Sequence, residues 1–155
     1  MKQKMNRIFN LLPALVIIFS ISSCGDKDNN GTVQPTEKDK ILINYPWKMT
    51  NVTDLSGKVI APEKLNLQTK LIPLMEIQFV TGNKVYAKGA TDSQVINGGT
   101  WYLIESSKVL DIDISGFAGK FGVEELTNSK MRLKSTMPVG GVDQETIMVF
   151  DPVIK

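Results

Sequence analysis

The stretch KVLDIDIS, residues 108–115, decides the fold. Leu110, Ile112 and Ile114 alternate with Asp111 and Asp113, a strict period of two. Successive side chains of a strand point to opposite faces, so this pattern buries three aliphatics and leaves two carboxylates in water. A helix would scatter the same residues around its circumference. Ser106-Ser107 turns the chain just before it, and residues 99–105 read as another strand with Trp101 and Leu103 on one face. Residues 92–98 read as a loop. Further upstream, Met75, Ile77 and Phe79 alternate with Glu76 and Gln78, and Thr81-Gly82-Asn83 forms a hairpin turn into a strand over 84–88.

The same signals continue downstream. Residues 120–127 form a sixth strand, and Asn128-Ser129 turns into a seventh over 130–135, with Met131 and Leu133 opposite Arg132 and Lys134. Residues 137–142 read as a Gly/Pro loop. An eighth strand over 145–150 is closed by Asp151-Pro152. The first strand lies near 46–53, where Trp47 and Met49 alternate with Lys48 and Thr50. Residues 54–58 form a turn, and residues 61–71 a short helix with Pro62 suited to its first position. Eight short strands, mostly hairpin-linked, predict an all-β fold: an up-and-down antiparallel β-barrel, with a short helix between strands one and two. Closing the sheet removes its edges, and eight strands leave an interior that is either filled or holds one small ligand.

The N-terminus is of another kind. Lys2, Lys4 and Arg7 precede an apolar run over 8–21 that is too short and Pro-broken for a membrane span. Ile21-Ser22-Ser23-Cys24 resembles the lipobox of bacterial lipoproteins, with isoleucine at the first position. The resemblance implies cleavage before Cys24 and lipidation of its thiol. Residues 1–23 are then a signal peptide, 24–40 a flexible tether, and 41–155 the barrel domain. The tether has no aromatic residue and is rich in Asp, Asn, Lys, Thr and Gly. Such a protein is expected to sit in the cell envelope, lipid-anchored at the outer membrane, on its periplasmic face or at the cell surface.

Removing the signal changes the charge. The whole chain has 18 basic and 16 acidic residues, a formal net of +2. Three of the basic residues precede Cys24 and no acidic one does, so the mature chain carries fifteen against sixteen, a net of −1. No clustered positive charge remains, which argues against a nucleic-acid partner.

The strand motifs resemble a known group, the small lipocalin-like lipoproteins of Bacteroidetes. The matching residues are Trp47, Phe79-Val80-Thr81-Gly82-Asn83, Gly99-Thr100-Trp101-Tyr102-Leu103, Leu110-Asp111-Ile112, and the hairpin from Leu126 and Thr127 to Met131 and Leu133. They cover residues 45–150. Where lipocalin first strands carry glycine two residues before the tryptophan, this chain has Tyr45. The resemblance implies a lipocalin-like barrel and a cup for small apolar ligands.

Little catalytic chemistry is on offer. There is no histidine and only one cysteine, so Ser-His-Asp and Cys-His sites and His/Cys zinc sites have no ligands to draw on. Asp111 and Asp113 share a face, but the alternation places that face in solvent. Gly140-Gly141 precedes no helix and is not a phosphate cradle. A non-enzymatic protein without cofactor or metal is expected. The residues that would line a cup are Trp47, Met49, Met75, Ile77, Phe79, Trp101, Leu103, Met131 and Leu133. The same nine would make an ordinary filled core. Two functions follow: binding of a small hydrophobic ligand, or a structural or interaction module with a filled barrel that contacts another envelope protein.

Overall fold

The alternation over 108–115 forms the strand it predicts. In the computed structural model Leu110, Ile112 and Ile114 are at most 1 % exposed, while Asp113 is exposed and Asp111 half-exposed. The model describes residues 35–154. The proposed signal peptide, Cys24 and most of the tether lie outside them. Within them the order is α1 (Glu37–Asn44), β1 (Trp47–Thr53), a 3-10 turn (Pro62–Lys64), α2 (Leu67–Leu71), a second 3-10 turn (Ile72–Leu74), β2 (Met75–Val80), β3 (Lys84–Gly89), β4 (Val95–Ile104), β5 (Val109–Ile114), β6 (Phe117–Leu126), β7 (Met131–Val139) and β8 (Val142–Pro152). The eight strands pair in sequence order, all antiparallel, and β8 returns to β1 to close the barrel. This is the eight-stranded up-and-down antiparallel barrel expected from the strand pattern.

Several strands are longer than their sequence signals. β4 begins at Val95, so the loop expected over 92–98 is partly strand, and β6 begins at Phe117, three residues before the expected start of the sixth strand. β7 runs through Pro138 to Val139, and β8 starts at Val142. The loop expected over 137–142 is therefore a two-residue turn. Gly140 and Gly141 both have positive φ, 62° and 85°, the conformation that matches the twist of a tight hairpin. Pairing to a neighbour overrides local Gly and Pro signals there. The expected helix over 61–71 is broken in two, because Leu65 pairs with Val139 and cannot also be helical. The second piece is capped by Asn66, whose side chain accepts from Thr69 N at 2.8 Å.

α1 begins at Glu37, inside the segment expected to be tether. Thr36 and Asp39 form a capping box, with Thr36 N donating to Asp39 Oδ2 at 2.7 Å and Asp39 N donating to Thr36 Oγ1 at 3.2 Å. The helix touches both β2 and β6, which are diametrically opposite in the ring. It thus lies across one end of the barrel. Leu42 is fully buried there, and its carbonyl accepts from Trp47 Nε1 at 2.9 Å. Lys38 Nζ donates to the Ser107 carbonyl at 3.1 Å.

The wall is uneven. β7 and β8 share nine paired positions and β2 and β3 share six, but β1 and β2 share one, Trp47 with Ile77. Beyond that rung β1 pairs with its own returning chain: Thr53 with Val59, and Ile60 N donating to Val52 O at 2.8 Å. A bulge at Thr50 and Asn51 shifts the alternation, so Met49 and then Val52 are buried.

Candidate functional site

The end opposite α1 carries the connection over 54–74, the β3–β4 loop and the tight β5–β6 and β7–β8 turns. α2 packs over this mouth. Its inner side presents Thr69 and, just beyond its C-terminus, Ile72, both buried, and Thr69 Oγ1 donates to Met137 Sδ at 3.8 Å. Between α2 and strands β6–β8 is an open cavity of about 360 Å³. That is within the size range of small-molecule sites.

Its floor is apolar. Phe117 and Phe121 stand on one face of β6 with ring centroids 5.0 Å apart, beside Met137 and Met148. Phe117 also meets Phe150 of the deeper core at 6.1 Å, so the floor rests on packed side chains. Aromatic and thioether walls adapt to varied apolar shapes. The rim is polar and neutral: Asn66, Gln68 and Ser135. Among the described residues no charged side chain lines this cavity. It is an open depression that can seat an apolar body and offer hydrogen bonds to a neutral polar edge. Among the described residues no three His, Cys, Asp or Glu side chains converge as a metal site.

The nine residues expected to line a cup lie elsewhere. Trp47, Ile77, Phe79, Met131 and Leu133 are fully buried, and Met49 and Trp101 are 3 % exposed. Met75 and Leu103 are half-buried against the same core. Phe79 and Trp101 meet edge to face at 5.7 Å and 81°, and Trp101 Nε1 donates to Val80 O at 3.2 Å. These side chains pack as filling below the mouth, and none borders the mouth cavity. Met49 borders a second cavity, of about 250 Å³, between β1 and the connection that follows it. The cup residues were harder to find in the sequence. Phe117 lay outside the expected sixth strand and Met137 inside an expected loop. Asn66 and Thr69 reach the site only because the connection folds back over the barrel. The i, i+4 spacing of Phe117 and Phe121 was the available signal, since it puts both rings on one strand face.

No protein-family model matches the sequence, and no curated protein does. A solved structure of a lipocalin-like protein from Bacteroides uniformis is similar, with 15 % identity over 73 % of this chain and 99 % of that one, at a TM-score of 0.47.

Proposed function

We propose that this protein is a non-enzymatic, lipid-anchored envelope protein of the lipocalin-like lipoprotein kind, which holds a small, neutral, largely apolar molecule in the mouth of its barrel. The observation that carries the reading is the cup itself: an uncharged rim and an aromatic and methionine floor around about 360 Å³, above a filled core. The anchor is the thiol of Cys24, and the membrane is the outer membrane. The filled core confines the ligand to the mouth, so the bound molecule is compact. Native mass spectrometry of the purified protein tests this. A co-purified neutral small molecule is expected, and Ser135→Trp, which fills the cup from its half-exposed rim, should abolish its retention. An intact barrel that neither carries nor takes up such molecules would refute the reading.

A second reading has its own support. Of ten exposed large hydrophobic residues among the described ones, eight belong to segments at the mouth end, among them Leu67, Leu71, Leu74, Val95, Ile96 and Val142. Apolar residues gathered at one end favour an envelope protein partner docked over the mouth. Cross-linking from Leu71→Cys in whole cells separates the two: a single discrete adduct supports the partner, and no adduct leaves the ligand reading alone.

A further inference from the structure

The seam between β1 and β2 is the one place where the barrel wall gives way, and we propose that it is a second small-molecule site, specific for a compact apolar compound bearing one hydroxyl group. Four observations meet there. First, β1 and β2 share a single rung, so the wall opens beyond Trp47 and Ile77. Second, the opening is not filled. A cavity of about 250 Å³ lies between β1 and the folded-back connection, walled mainly by apolar side chains such as Met49, Val52, Ile60, Leu65 and Pro73, with Lys70 and two threonines also on its lining. An apolar cavity of about 150 Å³ can take up benzene, so this one accommodates a substituted ring.

Third, the β1 bulge falls at Thr50 and Asn51, beside the cavity, and bulges re-aim the side chains next to them. Fourth, Asn51 borders the cavity, and its Oδ1 is shielded from solvent with no hydrogen-bond partner. A shielded acceptor left unpaired is costly, and a ligand that pairs it recovers that cost. The amide is loosely held: its Nδ2 contacts only Thr50 Oγ1, at 3.5 Å. Binding as proposed therefore includes a turn of this amide that brings one of its ends to the cavity. A hydroxyl both donates and accepts, so it meets either end of the amide.

This site is separate from the mouth cup, and the proposal does not depend on the cup being occupied. Thr69 alone borders both cavities. The test is a pair of backbone-amide NMR titrations of the full chain with phenol and with toluene. The two have the same shape, and toluene is the more apolar, so a cavity without a hydrogen-bonding partner prefers toluene. Phenol should shift the amides of Asn51, Val52, Ile60 and Leu65 and bind at least as tightly as toluene. Asn51→Leu should weaken phenol at least fivefold and leave toluene within twofold. No shift at those amides at millimolar phenol, shifts confined to Phe117, Phe121 and Met148, or a preference for toluene in the unmodified protein would each overturn the proposal. The comparison of the two probes stands without the variant, should Asn51→Leu fail to fold.

Discussion

Replacing Gly99 by alanine should cost this barrel about 3 kcal/mol, while the same change at Gly122 should cost almost nothing. Gly99 lies on β4 where the chain presses against β5. A Cβ placed there would sit 2.8 Å from the carbonyl carbon of Asp113 and 3.3 Å from Ile114 Cα, and closer still to the Asp113 oxygen. Real Cβ atoms do not come within 3.0 Å of such neighbours. The obstacle is backbone, so no side chain can swing aside. The strands must separate near the Thr100–Asp113 rung, next to Trp101 and Ile112. Overpacking of this kind costs about 1–3 kcal/mol, and each ladder hydrogen bond lost adds about 1 kcal/mol. Lower chain entropy in the unfolded alanine variant returns about 0.4–1 kcal/mol. At Gly122 the added methyl meets Lys134 Cβ at 3.5 Å, an ordinary contact, so only the entropic gain remains. Urea unfolding followed by tryptophan fluorescence measures both. With a slope of about 2 kcal/mol/M, Gly99→Ala should lower the midpoint by about 1.5 M, and Gly122→Ala should leave it unchanged or slightly raised. Equal midpoints for the two variants would refute the close β4–β5 approach.

Other expectations are briefer. Leu42→Ala should destabilise the barrel by about 2–5 kcal/mol, the cost of emptying a fully buried leucine site; a loss under about 0.5 kcal/mol in the same assay would mean α1 does not close that end. Asp54 sits in the turn after β1 with its carboxyl held below the usual range, first by the Ser56 hydroxyl at 2.6 Å and then by Lys58 N at 3.0 Å. Its folded pKa is depressed, so its contribution is present above 3.8 and fades as pH falls through the lower folded value. An NMR titration of its carboxyl carbon should have a midpoint below 3.8, rising in Ser56→Ala; a native midpoint at or above 3.8 contradicts the turn geometry. Cys24→Ala should move the protein out of the detergent-soluble membrane fraction, and its continued retention there would rule out lipidation as the anchor.

Much of the barrel was legible because strand signals are local. The period of two at Leu110, Ile112 and Ile114, and the turns at Thr81-Gly82-Asn83 and Asn128-Ser129, act within a few residues of themselves. The strand ends were less legible. Val95, Phe117 and Pro138 are held in the ladder by partners on neighbouring strands. α1 was missed because its capping box sits in a polar segment, and its one fully buried residue, Leu42, matters only once Trp47 is beneath it. The candidate site was the least legible. Trp47, Phe79 and Trp101 suit a cup or a core equally well by residue type. They are filling because α1 closes that end of the barrel and the strands bring them into contact.

The sequence by itself determined the all-β class, the number of strands and which side of each strand is apolar, since all three follow from alternation and turn chemistry along the chain. It also determined the balance of charge and the absence of histidine, which narrowed the chemistry. Only the tertiary structure decided where the barrel is full and where it is open. Cavities are what remains when distant segments fail to meet: α2 folded back over β6–β8 leaves the mouth cup, and the single rung between β1 and β2 leaves the seam. Both depend on how much volume side chains far apart in sequence fill together, which no local pattern encodes.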